Sequence, residues 1–90
     1  FKHFTALGDG VVDELVEGFE CPQGPAIMSM KTWASSAGES ADMLRVIGGQ
    51  IGFDALGEIQ IYETDPKQPP KDDPYGYDIN FTPYDEEPEI

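Results

Sequence analysis

Basic residues are scarce in this sequence, where 5 Lys and Arg stand against 18 Asp and Glu and give a formal net charge of −13. Binding to the phosphate backbone of a nucleic acid needs clustered Lys and Arg, so the composition excludes direct nucleic-acid binding. It disfavours anionic membrane surfaces for the same reason. The acidic composition is compatible with three interpretations. The charges keep the protein soluble, or they bind a cationic small molecule or a basic protein surface, or the protein is an inhibitor that imitates nucleic acid.

Cysteine and histidine are almost absent. The single cysteine, Cys21, excludes an internal disulfide and fits a reducing environment, in which it serves as a small buried hydrophobe; an intermolecular bridge is the alternative. The single histidine, His3, has no second histidine or cysteine at ligand spacing, so we predict a surface side chain and no metal site. No Ser-His-Asp set, Cys-His motif or glycine-rich phosphate loop is present, which makes an enzyme the less favoured class and predicts no cofactor.

Long apolar runs are also missing. No stretch reaches the roughly 18 residues that a membrane helix needs, and no signal-peptide pattern is present. The first residue is Phe1 rather than Met, so the removal of a leader segment before Phe1 stays an open alternative. The composition therefore predicts a single cytoplasmic domain over residues 1–90, with no membrane partner.

What the sequence does contain is one well-marked helix. Ser36 and Glu39 have the spacing of a capping box, in which the Ser36 hydroxyl accepts a hydrogen bond from the backbone N–H of Glu39. Gly52 is suited to end the helix in the left-handed conformation. The apolar stripe between these signals has helical spacing: Ala37, Ala41, Leu44, Ile47 and Ile51.

Three strands are predicted around this helix. Residues 26–34 carry apolar side chains on both faces, which is typical of a central strand. Residues 57–64 alternate and have one buried face. A loop with four prolines, residues 65–74, leads to a last strand over residues 75–82. The last strand is predicted to turn three side chains toward the core: Tyr77, Ile79 and Phe81.

The two termini are less regular. Residues 1–20 form an N-terminal segment in which residues 9–19 place apolar side chains at helical spacing behind an Asp9 cap. A helix is predicted there, with an extended segment as the alternative. The C-terminal "DEEPEI" holds four like charges in six residues, and we expect residues 85–90 to be a frayed acidic tail.

Together these elements predict an α+β fold in the order β-α-β-β: a small three-to-four-stranded mixed or antiparallel sheet with one long helix packed on one face. The last two strands are expected to pair as a hairpin with a long loop. The N-terminal segment or a second subunit must then cover the other sheet face. Because Met28, Met30 and aromatic side chains are placed on outer faces, we expect a homo-oligomer, which would supply the burial that a small domain needs.

Aromatic side chains beside carboxylates form the most suggestive group, because they can hold cationic or flat ligands by cation–π and stacking contacts. Sheet packing or a subunit interface is the alternative, since aromatic residues prefer strands. The candidate ligand-binding residues are Trp33, Tyr62, Tyr75, Tyr77, Asp78 and Tyr84. If the hairpin forms, Glu63, Asp65 and Asp78 approach one another, as acid–base chemistry by a carboxylate pair requires. No catalytic or metal-binding residue is assigned.

The function expected first is that of a non-catalytic, homo-oligomeric interaction or binding module. Three alternatives stay open: a binder of small cationic or aromatic ligands, a small enzyme that uses carboxylates, and an acidic inhibitor that imitates nucleic acid.

Four stretches carry a resemblance: "CPQGPAIMSMKTWA", "ADMLRVIGGQIGF", "GEIQIYET" and "QPPKDDPYGYDINFTPY". Over residues 21–84 the chain resembles uncharacterised small bacterial proteins, including kinds carried as integron gene cassettes, and this resemblance implies no activity. The β-α-β-β order with a serine cap before the helix is also similar to dodecin topology. Dodecins form hollow shells and stack flavins on a tryptophan, but here Trp33 lies in the first strand and the hairpin loop is longer. Shared topology does not transfer function, so no flavin site is predicted.

Overall fold

A computed structural model of the chain describes residues 1–84, and the acidic tail predicted for residues 85–90 lies outside the described residues. The elements of the described part have these bounds: β1 Lys2–Val12, β2 Gly24–Ala34, α1 Ala37–Ile51, β3 Phe53–Glu63 and β4 Tyr75–Pro83. Among residues 1–84, no helix combines the length and the hydropathy that crossing a membrane requires.

The four strands form one antiparallel sheet in the order β3-β1-β2-β4, and α1 packs on one face of it. The α+β class and the β-α-β-β order of the last four elements are confirmed. The hairpin predicted for the last two strands is wrong, because β3 and β4 form opposite edges of the sheet. The reason is β1, which pairs with β2 on one side and with β3 on the other.

The N-terminal segment forms strand β1 up to Val12, so the helix predicted for residues 9–19 is wrong. The buried side chains of β1 alternate, as strand pairing requires: Phe4, Ala6 and Val12 are buried on the face toward α1. Beyond β1 the chain has no helix or strand until β2. There the N–H of Asp13 donates to the carbonyl oxygen of Gly52 at 2.8 Å. This hydrogen bond holds the connection between β1 and β2 against the C-terminal end of α1.

Two glycines allow β1 to lie beneath α1 and beside β3. A Cβ atom on Gly8 would lie 2.8 Å from Cδ2 of Leu44 on the helix. A Cβ atom on Gly10 would clash with the carbonyl oxygen of Asp54, which cannot move without disturbing β3. Glycine also lowers helix propensity by about 1 kcal/mol relative to alanine. Gly10, which lies inside the predicted helix, therefore weakens that helix and is required by the strand.

The core lies between the sheet and α1. Met28, Met30, Leu44 and Phe53 are 0–1% exposed there, and burial of each such side chain stabilises the fold by about 1.5–3 kcal/mol. The prediction that β2 is a central strand is confirmed. Both methionines are covered within one chain, so their burial does not require a second subunit. Self-association stays a prediction, but the two methionines do not support it, because both are already buried within one chain.

The helix α1 begins and ends as the sequence predicts. Oγ of Ser36 accepts from the N–H of Glu39 at 3.1 Å, and Gly52 ends the helix with a φ of 109°. The Glu39 carboxylate reaches one residue further back than a capping box requires. It accepts from the N–H and the hydroxyl of Ser35 at 2.6 and 2.8 Å, and these hydrogen bonds lower the pKa of Glu39.

A bulge in β4 turns one tyrosine away from the core. The register between β2 and β4 shifts by one residue beside Lys31, which lies opposite Tyr77. The extra residue is accommodated at Asp78, whose φ of 54° is left-handed. One extra residue reverses the alternation, so Tyr77 lies on the sheet face away from α1 while Ile79 and Phe81 pack against the core. The prediction of a shared core face is therefore wrong for Tyr77.

Gly10→Ala tests the close approach of β1 to β3. The substitution is expected to destabilise the fold by roughly 1–3 kcal/mol, because its Cβ is forced against the backbone of Asp54. Gly49→Ala is the control, since a Cβ on that helical residue meets no atom within 4 Å and is expected to stabilise the fold by up to about 1 kcal/mol. Urea unfolding measures both effects. Wild-type stability in Gly10→Ala would contradict the described packing.

Candidate functional site

The sheet face turned away from α1, called the open face below, gathers side chains from all four strands. The open face has two halves. The connection from β3 to β4, residues 64–74, is bound to one half and is called the proline loop below. The other half contains a groove. The strands place these polar and aromatic residues on the open face: His3, Asp9, Lys31, Trp33, Gln60 and Tyr77.

Aromatic side chains of the open face fix the path of the proline loop. Nε1 of Trp33 donates to the carbonyl oxygen of Gln68 at 2.8 Å. The hydroxyl of Tyr75 donates to the carbonyl oxygen of Pro69 at 2.6 Å, and Nζ of Lys71 lies 4.4 Å from the centre of the Tyr75 ring. The loop is exposed, as predicted, but it is bound to the sheet beneath it.

His3 is buried beneath this loop, with only 4% of its surface exposed, so the prediction of a surface histidine is wrong. The hydroxyl oxygen of Tyr77 accepts from the N–H groups of Lys67 and Gln68 at 3.0 and 3.3 Å. Its own proton is therefore donated to Nε2 of His3, 2.7 Å away. Nδ1 of His3 is then the donor to the carbonyl oxygen of Thr64 at 3.0 Å. The network fixes which ring nitrogen carries the proton, and it binds the loop to β1.

Most of the predicted ligand-binding residues make contacts within the chain. The proline loop uses the polar atoms of three of them: Trp33, Tyr75 and Tyr77. A fourth, Asp78, accepts a hydrogen bond from Nζ of Lys31 at 2.8 Å. A ligand at any of these side chains would have to replace an intramolecular contact. Of the remaining two candidates, Tyr84 lines the groove, and Tyr62 is bonded to Gln60, which also lines it.

No hairpin brings together the carboxylates considered for acid–base chemistry. Glu63 ends β3 and Asp78 lies in β4, and these strands are opposite edges of the sheet. Within residues 1–84, no group of three or more His, Cys, Asp or Glu side chains is placed to hold a metal ion. The candidate site is therefore the hollow that the open face itself forms.

The groove on the open face has a volume of about 260 Å³ and is called the acidic groove below. Among residues 1–84, its walls contain two carboxylates and no basic side chain. The lining residues are Leu7, Asp9, Ile27, Glu58, Gln60 and Tyr84. Only Tyr84 was among the residues predicted from the sequence. The others were missed because their proximity depends on β1, which the sequence did not reveal as a strand.

Tyr84 is held across β2. Its N–H donates to the carbonyl oxygen of Pro25 at 3.1 Å, and its hydroxyl donates to Oδ1 of Asp9 in β1 at 2.6 Å. The hydrogen bond to Asp9 raises the pKa of the Tyr84 hydroxyl, because it favours the protonated phenol. One oxygen of Asp9 is thereby engaged, and the ring of Tyr84 lies beside the carboxylate.

Glu58 lies at the acidic groove beside a bulge in β3. Residues 56–58 of β3 all lie opposite the single residue Asp9 of β1. A Cβ atom on Gly57 would lie 3.3 Å from Cβ of Asp9, so glycine leaves room for the Asp9 side chain. A glycine inside an alternating strand is a signal for such a bulge. Sequence reasoning began the strand at residue 57 and passed over this signal.

The chemistry of the acidic groove suits non-covalent binding. Carboxylates provide charge, Leu7 and Ile27 provide apolar contact, and Gln60 provides an amide. The hydroxyl of Tyr62 donates to Oε1 of Gln60 at 2.9 Å and so orients that amide. Among residues 1–84, no serine, threonine, cysteine, histidine or lysine side chain lines the acidic groove. The groups there that could act as nucleophiles are two carboxylates and the Tyr84 hydroxyl, and that hydroxyl is engaged by Asp9.

Tyr77→Phe tests the network beneath the proline loop. The variant is expected to lose about 1–3 kcal/mol of stability, because Nε2 of His3 and two loop N–H groups lose their partner. Hydrogen exchange at Lys67 and Gln68 is expected to become faster. Tyr62→Phe removes an exposed hydroxyl and is expected to change stability by about 0.5 kcal/mol or less. Equal effects of the two variants would contradict the described network.

Asp78→Asn tests the ion pair of the open face by its pH dependence. The hydrogen bond from Lys31, followed by the charge of Lys31, lowers the pKa of Asp78 below its ordinary value of 3.8. Ionised Asp78 therefore stabilises the fold above the pKa of the unfolded chain, and this contribution is lost as the pH falls through the lower folded-state pKa. Asparagine tolerates the left-handed backbone at this position. We expect the variant to be less stable than wild type at neutral pH.

The stability difference caused by Asp78→Asn is expected to disappear in acid, below both pKa values, when urea unfolding is repeated across a pH series. Asp42→Asn is the control. Its carboxylate lies 3.4 Å from Arg45 with 78% of the side chain exposed, so a smaller difference is expected there. A difference for Asp78→Asn that does not change with pH would contradict an effect of the charge.

Comparison with known proteins assigns no family to this chain. No protein-family model matches it, and neither does any curated protein or solved structure. The resemblance to small gene-cassette proteins and the analogy to dodecin topology stay predictions. The function is therefore argued from the acidic groove.

Proposed function

We propose that this chain is a non-catalytic binding module that takes a small organic cation, such as a guanidinium or ammonium group, in the acidic groove. One observation carries the proposal: the carboxylates of Asp9 and Glu58 line one hollow beside the ring of Tyr84. Carboxylates attract a cation and accept its hydrogen bonds, and an aromatic ring adds cation–π attraction.

The charge of the surroundings supports a cationic ligand. The lining of the acidic groove is free of basic side chains, and the chain as a whole carries a net charge of −13. Lys31 lies on the same sheet face but is engaged by Asp78 at 2.8 Å. A bound cation would offset the repulsion between the two groove carboxylates, and the acidic surface would steer it toward the protein.

The size and lining of the acidic groove narrow the class of cation. Its volume of about 260 Å³ is below the roughly 300–1,000 Å³ of pockets for drug-sized molecules. It suits the head group and upper stem of an arginine, a lysine or a methylated amine. Leu7 and Ile27 offer apolar contact to the stem, as the alkyl parts of long cationic side chains require.

The other sequence-based alternatives draw less support. For a carboxylate enzyme, no hairpin brings together the predicted set of Glu63, Asp65 and Asp78, and one carboxylate of the acidic groove, Asp9, is engaged by the Tyr84 hydroxyl. A flat aromatic ligand at Trp33 or Tyr77 competes with the proline loop for the same polar atoms. Self-association and a cytoplasmic location stay predictions that rest on composition and length.

Calorimetric titration with N-acetylarginine amide tests this proposal, with N-acetylcitrulline amide as the neutral analogue of the same shape. We expect the arginine compound to bind at least about tenfold more tightly, because only its guanidinium is charged. Glu58→Gln and Asp9→Asn are each expected to weaken its binding by roughly tenfold. Glu17→Gln is the matched control, since Glu17 is exposed and lies in the connection after β1. Its affinity should equal that of wild type.

Two results would contradict the proposal. One is equal affinity for the charged and the neutral compound, which would show that the positive charge of the ligand does not contribute to its recognition. The other is unchanged binding of N-acetylarginine amide in both Glu58→Gln and Asp9→Asn, which would place the cation elsewhere.

A further inference from the structure

Strand β3 is an edge strand with an unused pairing side. Among residues 1–84 it pairs only with β1, and its one buried residue is Phe53. The unpaired N–H and C=O groups of such an edge are a template for another strand. The opposite edge, β4, is a poorer template, because the bulge at Asp78 distorts it and Pro83 at its end has no N–H.

The regular part of the β3 edge is short and begins at the acidic groove. The bulge over residues 56–58 interrupts pairing, and residues 59–63 then lie in regular register opposite β1. Five residues are within the usual length of a strand. Glu58, at the start of this stretch, also lines the acidic groove. The free edge and the cation site are therefore parts of one continuous surface.

The charges of β3 indicate which kind of strand this edge accepts. The strand contains Asp54, Glu58 and Glu63 and no Lys or Arg. A second copy at this edge would bring a chain with the same net charge of −13 close to these carboxylates, and repulsion between like charges disfavours that pairing. A basic segment would instead meet opposite charge.

Geometry allows an added strand to reach the acidic groove. Neighbouring strands lie about 4.7–4.9 Å apart, and alternate side chains of the added strand would stand on the open face. There they would lie beside Gln60 and Tyr62, which extend from β3 on that face. Arg and Lys side chains are long enough to pass from this position into the groove.

We infer that the partner is an extended basic segment of another protein, which adds as a fifth strand along residues 59–63 and places an Arg or Lys side chain in the acidic groove. The inference rests on the proposed function, since the cation in the groove is then a side chain of that segment. Backbone pairing supplies affinity, and the groove selects which residue of the segment stands opposite Glu58.

The acetylated and amidated pentapeptide Val-Arg-Val-Arg-Val is the probe, compared with N-acetylarginine amide on the same protein. We expect the pentapeptide to bind at least about tenfold more tightly, through its backbone hydrogen bonds. Two N-methylated analogues carry the methyl groups on all valines or on all arginines. Because the N–H groups of alternate residues point to one side of a strand, one analogue should lose the gain in affinity and the other should keep it. Hydrogen exchange at residues 59–63 should slow with the parent peptide.

The outcomes separate the two proposals. The fifth-strand inference is overturned, while the cation site stands, if the pentapeptide binds no more tightly than N-acetylarginine amide. The same holds if both N-methylated analogues bind as tightly as the unmethylated pentapeptide. If neither compound binds, both proposals fail. If the pentapeptide does not bind and sedimentation gives the mass of two chains with residues 59–63 protected from exchange, a second copy occupies the edge and the inference is overturned.

Discussion

The position of β1 between β2 and β3 is the constraint on which the rest of the structure depends. It requires a residue without a side chain at position 10, where the backbone of β3 lies against β1. With β1 in the centre, the last two strands become opposite edges of the sheet. The connection between them must then cross the open face, which explains why the chain needs a long loop there and why that loop is bound by aromatic side chains.

The same constraint divides the open face into two halves with different roles. Four strands span roughly 14 Å across the sheet, and the proline loop crosses this width at the end where His3 and Trp33 lie. The hydrogen bonds that hold the loop lie at that end of the sheet, whereas Asp9 lies several residues further along β1. Tyr84 bonds there instead, immediately after β4. The loop thus stabilises one half of the open face. The other half contains the acidic groove, whose lining includes carboxylates and no basic side chain.

Local signals predicted α1 and β2, whereas the candidate site depends on contacts between distant parts of the chain. Ser36 and Gly52 mark the ends of the helix within a few residues of sequence. The valines of β1 fit helical spacing equally well, and only pairing with strands far along the chain makes them a strand. Tyr77 changes face because of a one-residue shift against β2, which no pattern inside β4 reveals. Asp9 and Glu58 meet through the β1–β3 register, for which Gly57 was the one local sign.

A structure of the protein with N-acetylarginine amide bound tests the central claim most directly. The account predicts that the guanidinium nitrogens lie within about 3 Å of carboxylate oxygens of Asp9 and Glu58, with the alkyl stem against Leu7 and Ile27. A guanidinium bound at another hollow, such as the one between α1 and Tyr75, with an empty acidic groove would contradict it.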